Sequence, residues 1–226
     1  MLENVHNWTV DRVLDEPDWR PRVRTGLSVV VPCFNEVEVI DALLGRLVPI
    51  CQEVCPDNYE IVLVNDGSSD GTWAAIERHA ARSPRIVGID LARNHGHQLA
   101  LTAGLQLCSG ELVFVIDADL QDPPELLPQM VWMVKQGHDV VYGQRIAREG
   151  ETLFKRSTAA VFYRVLEKMI DIPIARDTGD FRLMTRAVVD VLNAMPERFR
   201  FVRGMVSWAG FRQCAIQYRR EARFAG

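Results

Sequence analysis

Asp117, Asp119 and Asp122 crowd the stretch "DADLQD" directly behind "ELVFVI", an apolar run that reads as a buried strand. Carboxylates this close at a strand end do not stay ionised cheaply unless a cation lies between or beyond them. Oxygen ligands of this kind select Mg2+ or Mn2+, ions that keep part of their water and bridge to substrate phosphates. A metal-bound diphosphate would therefore complete the site. A second acidic loop, "DGSSDGTWAAIE" from Asp66 to Glu77, nearly fits a calcium-binding pattern. Such a loop needs a helix before it, whereas "EIVLVN" is rich in β-branched residues and reads as a strand. Gly67 to Gly71 is thus expected to form a tight strand-to-helix turn that holds Asp66 toward a crevice. Neither a G-x-G-x-x-G after the first strand nor a G-x-x-x-x-G-K-[ST] is present, so a dinucleotide fold or a P-loop nucleotidase has no support.

These residues need a frame. Four runs, "LSVVVPCF", "YEIVLVND", "RIVGIDLA" and "ELVFVIDA", alternate with amphipathic stretches at Val37 to Val54, Gly71 to Ala81 and His97 to Leu107. That rhythm predicts an α/β fold with a mainly parallel sheet flanked by helices. After Gly143 it weakens: residues 153–172 read as one amphipathic helix, "DFRLM" as a short strand, Arg186 to Ala194 as a helix and "RQCAIQY" as a final strand. Ligands of such sheets sit beyond the carboxyl ends of the strands. There the sequence places Asn35 and Glu36, Asn65 and Asp66, Arg93 and Asn94, and Asp117 and Asp119.

Composition bounds the function. The chain has 226 residues, 48% of them hydrophobic, enough for one sizeable domain, and a net charge of −4 that argues against nucleic acid as a partner. From Arg198 to Gly226, however, seven arginines face a single acid, Glu221. Five cysteines without metal-ligand spacing, and a polar N-terminus without a signal peptide, point to reduced thiols in a cytosolic setting. No apolar run reaches the ~18–20 residues of a membrane span. Residues 1–24 read as an extension and 25–226 as the domain.

Four motifs in order, "VVVPCFNE", "LVNDGSSDGT", "IDADLQDPPE" and "TGDFRLM", resemble glycosyltransferase family two, the inverting GT-A class. Within it they are similar to the polyprenyl-phosphate branch of dolichyl-phosphate mannose synthases and bacterial undecaprenyl-phosphate glucosyltransferases. No Q-x-x-R-W motif of the processive polysaccharide synthases is present. The resemblance implies that Pro32, Phe34 and Glu36 line a nucleoside pocket, with Glu36 accepting from the ribose. It implies that Val64 and Asp66 contact the base, and that Asp117 and Ala118 complete the nucleotide contacts. Asp119 and Gln121 would hold Mg2+ or Mn2+. Arg145, Arg156 and Arg223 match positions that handle phosphates, and Asp180 matches a carboxylate given a catalytic role. Asp122 with Pro123 is read as a helix start.

The implied reaction moves one hexose from a nucleotide sugar, a UDP-sugar before GDP-mannose, to a polyprenyl phosphate at the cytoplasmic membrane face. Such a phosphate, with a pKa near ~6, is largely dianionic at neutral pH and needs no strong base, so Asp180 is expected to position more than to deprotonate. Two alternatives stand beside this: a soluble family-two enzyme acting on a saccharide hydroxyl, with Asp180 as base, and a non-catalytic nucleotide-sugar binding domain. Residues 153–169 interleave Lys155, Arg156, Arg164 and Lys168 with apolar side chains, a pattern suited to an anionic membrane surface. The family's C-terminal membrane region is expected to be absent from this chain. A homo-oligomer is left open.

Overall fold

Strand β2 (Leu27–Cys33) is buried at all seven positions, as continuous apolar runs must be when helices cover both faces of a sheet. The computed structural model describes residues 7–9, 26–146 and 178–221. In chain order these hold β1 (Asn7–Thr9), β2, α1 (Ile40–Val54), β3 (Tyr59–Asn65), α2 (Thr72–Ala80), β4 (Ile86–Asp90), α3 (His97–Leu107), β5 (Leu112–Val115) and α4 (Leu127–Lys135). There follow β6 (Val140–Arg145), β7 (Thr178–Thr185), α5 (Arg186–Ala194), α6 (Val202–Trp208) and β8 (Gln213–Tyr218). The strands of the described residues form one sheet in the order β1-β8-β6-β7-β5-β2-β3-β4. All pairings are parallel except those of β7, which runs antiparallel to β5 and β6.

Alternate side chains of each strand divide the core. Val29, Val31, Ile61, Leu63, Phe114 and Phe181 pack under α1, α2 and α4. Val30, Val62, Val64, Val113 and Val115 pack under α3, α5 and α6. The three N-terminal helices and the strands read from the four apolar runs agree with expectation to within a few residues.

Four elements went unread in the sequence. β1 lies in the leading segment and pairs with Ala215 to Gln217 of β8. α4, "LPQMVWMVK", is buried almost all round and so lacks an amphipathic signal. β6, "VVYGQR", contains Gly143, whose added Cβ would stand 2.3 Å from Phe181 and 2.7 Å from Tyr218. The residue that looks like a strand breaker is there because two aromatic rings press on the backbone. α6 is short, with only Val202, Met205 and Val206 buried. The expected helix at 153–172, with Arg156, and Arg223 lie outside the described residues.

The site follows from strand order. From β2 the chain crosses to β3 on one side, while β5 is inserted on the other. β2 and β5 pair only as far as Val30 and Val115. Beyond that point the sheet opens at a topological switch, where α/β folds bind ligands.

Candidate active site

The opening is a cleft of about 250 Å3, lined by residues of the loops after β2 and β5, by Asp66, and by the N-terminal end of α3. Pro32, Phe34, Glu36, Asp66, Asp117, Ala118 and Asp119 all line it, as do Asn94, Gly96 and His97. Phe34 is 46% exposed, an apolar ring offered to solvent at the rim. Val64 is fully buried among the core residues under α3, so its side chain does not reach the cleft.

The wall on the β3 side is built by backbone bonding. Asp66 Oδ1 accepts from the His95 amide at 2.7 Å and Oδ2 from the Gly96 amide at 2.9 Å. Its carboxylate therefore anchors the loop after β4. Gly67, at φ +64°, allows the crossing, since a Cβ there would lie 2.3 Å from the Arg93 carbonyl carbon. The loop after β2 is pinned to the same turn. Asp70 accepts from the Thr72 and Val37 amides, Thr72 Oγ1 accepts from the Glu36 amide, and Asn35 Oδ1 accepts from the Ser69 amide. Asp66 and Asp70, which mimic calcium ligands in the sequence, are thus taken up by backbone amides of the neighbouring loops.

The loop after β5 is strained. Leu120, a γ-branched residue with no use for a left-handed conformation, sits at φ +57°. Asp119 Oδ1 accepts from the Gln121 amide at 3.1 Å, and Oδ2 meets the Arg220 guanidinium at 3.3 Å. A helical segment starts at Pro124, as Asp122 with Pro123 suggests, but Asp122 does not cap it. The turn at Pro124 has no side-chain cap, and the buried Asp122 carboxylate accepts from Tyr218 Oη at 2.5 Å and pairs with Arg145 at 3.4 Å. Arg145 also donates to Tyr218 Oη at 3.3 Å; it supports the β5 loop from beneath and is not a lining residue. The segment after β8 closes over this loop. The Glu221 amide donates to the Gln121 carbonyl, and Arg46 joins Glu125 to Glu221.

Opposite lies Asp180 on β7, 5% exposed in its side chain. Oδ2 accepts from Gln98 Nε2 at 2.7 Å and lies 3.3 Å from His97 Nε2; Oδ1 meets the buried Arg182 at 3.3 Å. Burial pushes its carboxyl up, but His97, Arg182, Arg203 and Gln98 outweigh burial and hold it at about 2. Asp117 goes the other way. Burial, with Asp180, Asp122 and Asp119 nearby, raises its carboxyl against the pull of His97, and its Oδ1 is buried without a hydrogen-bond partner. The pairing with Asp180, opposed by partial burial, raises the His97 imidazole above its ordinary value.

Sequence reasoning missed His97, Gln98, Arg182, Arg203 and Arg220. Arg182 lies within "GDFRLM", two residues from Asp180 on one strand face, and that spacing was a usable signal. His97 and Gln98 stand in "NHGHQ", just after the polar end of β4. Nothing local marks Arg203 or Arg220.

A mainly parallel sheet with its cleft at the β2/β5 switch and paired aspartates on the β5 loop defines a GT-A glycosyltransferase fold. The solved structures agree. The mannosyltransferase PcManGT from Pyrobaculum calidifontis, in complex with GDP-Man and Mn2+, superposes with a TM-score of 0.59 at 24% identity, over 92% of this chain and 60% of that one. The glucosyl-3-phosphoglycerate synthase of Mycobacterium tuberculosis, in complex with Mn2+, UDP-Glc and phosphoglyceric acid, also gives 0.59, at 18% identity, over 89% and 73%. At these identities the likeness is one of fold. The chain belongs to glycosyl transferase family 2, whose sequence pattern matches residues 28–192. It is 49% identical over 199 residues to the uncharacterized glycosyltransferase YkcC of Bacillus subtilis, covering 88% of this chain and 61% of that protein. It is 40% identical over 200 residues to the bactoprenol glucosyl transferase of Shigella phage SfV, covering 88% and 65%. The chain therefore spans less than two thirds of the length of these relatives.

Proposed function

We propose that residues 25–226 form the catalytic domain of an inverting, metal-dependent hexosyltransferase. It moves one sugar from a nucleoside-diphosphate donor, UDP-sugar before GDP-mannose, to a polyprenyl phosphate at the cytoplasmic membrane face. The observation that carries this reading is the state of Asp180. A buried carboxylate whose oxygens already meet Gln98 at 2.7 Å, His97 at 3.3 Å and Arg182 at 3.3 Å is held below the usual carboxylate range and is a poor proton acceptor near neutral pH, which suits an acceptor that arrives already ionised. Kinship with a bactoprenol glucosyl transferase supports the same acceptor class. The second reading, a saccharide hydroxyl as acceptor, requires a base that Asp180 is badly tuned to supply.

The residues fit a divalent cation. Among the described residues no cluster of three or more His, Cys, Asp or Glu side chains forms a cage. Asp119 and Gln121 do offer oxygen donors beside a cleft where Asp117 Oδ1 accepts no hydrogen bond and meets the His97 imidazole only at ion-pair distance, 3.5 Å, which suits an ion that completes its shell with water and diphosphate. Held there, Mg2+ or Mn2+ would supply positive charge to the departing diphosphate. Phe34 offers a face to the base and Glu36 an acceptor to the ribose. The acceptor phosphate oxygen attacks the anomeric carbon from the Asp180 side while the bond to the diphosphate breaks on the Asp119 side, where Arg220 adds charge. No proton has to leave. No helix among the described residues is long and apolar enough to cross a membrane, and membrane contact is assigned to the basic segments read from the sequence. A panel of nucleotide sugars, assayed with Mn2+ or Mg2+ and undecaprenyl phosphate, tests the proposal. Nucleotide release that depends on the lipid phosphate is expected, and release indifferent to it for every donor contradicts the proposal.

A further inference from the structure

His97 is the first residue of α3, and its side chain lines the cleft. Its Nε2 lies 3.3 Å from Asp180 Oδ2 and 3.5 Å from Asp117 Oδ1. One ring nitrogen thus stands between the loop that faces the donor and the carboxylate that faces the acceptor. The neighbouring Gln98 makes the same end of α3 rigid: its Nε2 donates to Asp180 and its Oε1 accepts from the Val202 amide of α6 at 2.9 Å. Gln98 carries no charge. Arg182 carries one but reaches the other oxygen of Asp180 from within the core, where it is also bonded to the Gly179 carbonyl.

We propose that His97 is a positioning residue of the transfer reaction, a protonated bridge that holds Asp180 ionised and correctly turned while tying it to Asp117 on the donor side. This rests on the function proposed above. The groups that face the imidazole are Asp66 from the end of β3, Asp117 from the end of β5 and Asp180 from β7; Arg182 and Arg203 stand behind Asp180. Three acids around one imidazole favour its charged form. The raised imidazole pKa agrees with this arrangement. When a donor occupies Asp117, the same nitrogen remains within reach of Asp180, so binding on one side changes the hold on the other.

The test has two arms on the full-length protein. The first needs no substrate: NMR titration of the His97 imidazole in wild type and in Asp180→Asn. A pKa above 6.5 in wild type that falls toward 6.5 in the variant is expected; an imidazole indifferent to Asp180→Asn overturns the proposal. The second is kinetic. His97→Gln, which keeps a donor but loses the charge, should lower kcat by about tenfold or more while moving the donor KM by less than about threefold. It should also remove a decline of kcat with rising pH, and add little to Asp180→Asn in the double variant. Wild-type kcat in His97→Gln, or additive losses, overturns the proposal. If wild type transfers no sugar although the NMR coupling is present, the functional reading fails and the role of His97 in the reaction falls with it, while the pairing itself stands.

Discussion

The two halves of the cleft satisfy their carboxylates differently. On the β3 side, Asp66 and Asp70 are taken up by backbone amides of adjoining loops. Across the cleft, Asp117, Asp119 and Asp180 meet side chains brought from α3, β7 and the segment after β8. The first half is a preformed wall. The second is a charge network whose members pull one carboxyl down and push another up. In the proposed reaction the donor's nucleoside would dock on rigid backbone, while the charges that change would face groups that respond electrostatically.

Five substitutions test that contrast. Arg182→Met should have the largest effect, because it strands Asp180 in the core; loss of one member of a buried pair costs ~3–5 kcal/mol, measurable by denaturant unfolding at neutral pH. The sign of the acid response follows from the same pair. Asp180 has its folded value depressed from 3.8 to about 2, so its contribution is present above 3.8 and is lost as pH falls toward 2; Asp180→Asn should flatten that limb of the stability curve. Asp119→Ala should lower transfer by more than ~10²-fold with the fold intact by circular dichroism, and equal wild-type rates with and without chelator would remove the reason for that loss. Asp66→Ala should cost ~1–3 kcal/mol in both stability and nucleotide affinity, since the His95 and Gly96 amides lose their acceptor; calorimetry showing unchanged nucleotide binding would confine Asp66 to the loop. Asp117→Asn is the smallest and has the opposite sign. It should stabilise the ligand-free protein by ~1 kcal/mol in thermal unfolding, because a buried carboxyl with a raised pKa is unfavourably ionised at neutral pH, and it should weaken donor binding.

The same contrast explains what could be read from the sequence. The β3-side wall is local: β2, β3 and their loops carry strand runs, glycine and Asp-rich turns within fifty residues, so spacing placed Glu36 and Asp66 at strand ends and the family resemblance added Phe34; all three line the cleft. The opposite side is assembled from residues 97, 117, 180, 203 and 220, and Asp180 meets residues 97 and 117 only because β7 is inserted antiparallel between β5 and β6. No period in the sequence announces that insertion. A helical segment does start after "DPP", as read, but the burial of the Asp122 carboxylate was not legible for a related reason, since its partners Arg145 and Tyr218 come from β6 and β8. The buried position of Val64 follows from strand alternation, which sets its side chain with Val62 toward α3.

The central claim is that this site supplies charge and position but no strong base. Comparing sugar transfer to a polyprenyl phosphate with transfer to the matching polyprenol, an alcohol of the same chain length, tests it most directly. General-base catalysis is worth about 10²–10⁴-fold, and the alcohol alone would need it. The phosphate should accept sugar at least ~10²-fold faster than the alcohol at neutral pH with the same donor and metal. Comparable rates for the two acceptors would contradict the account.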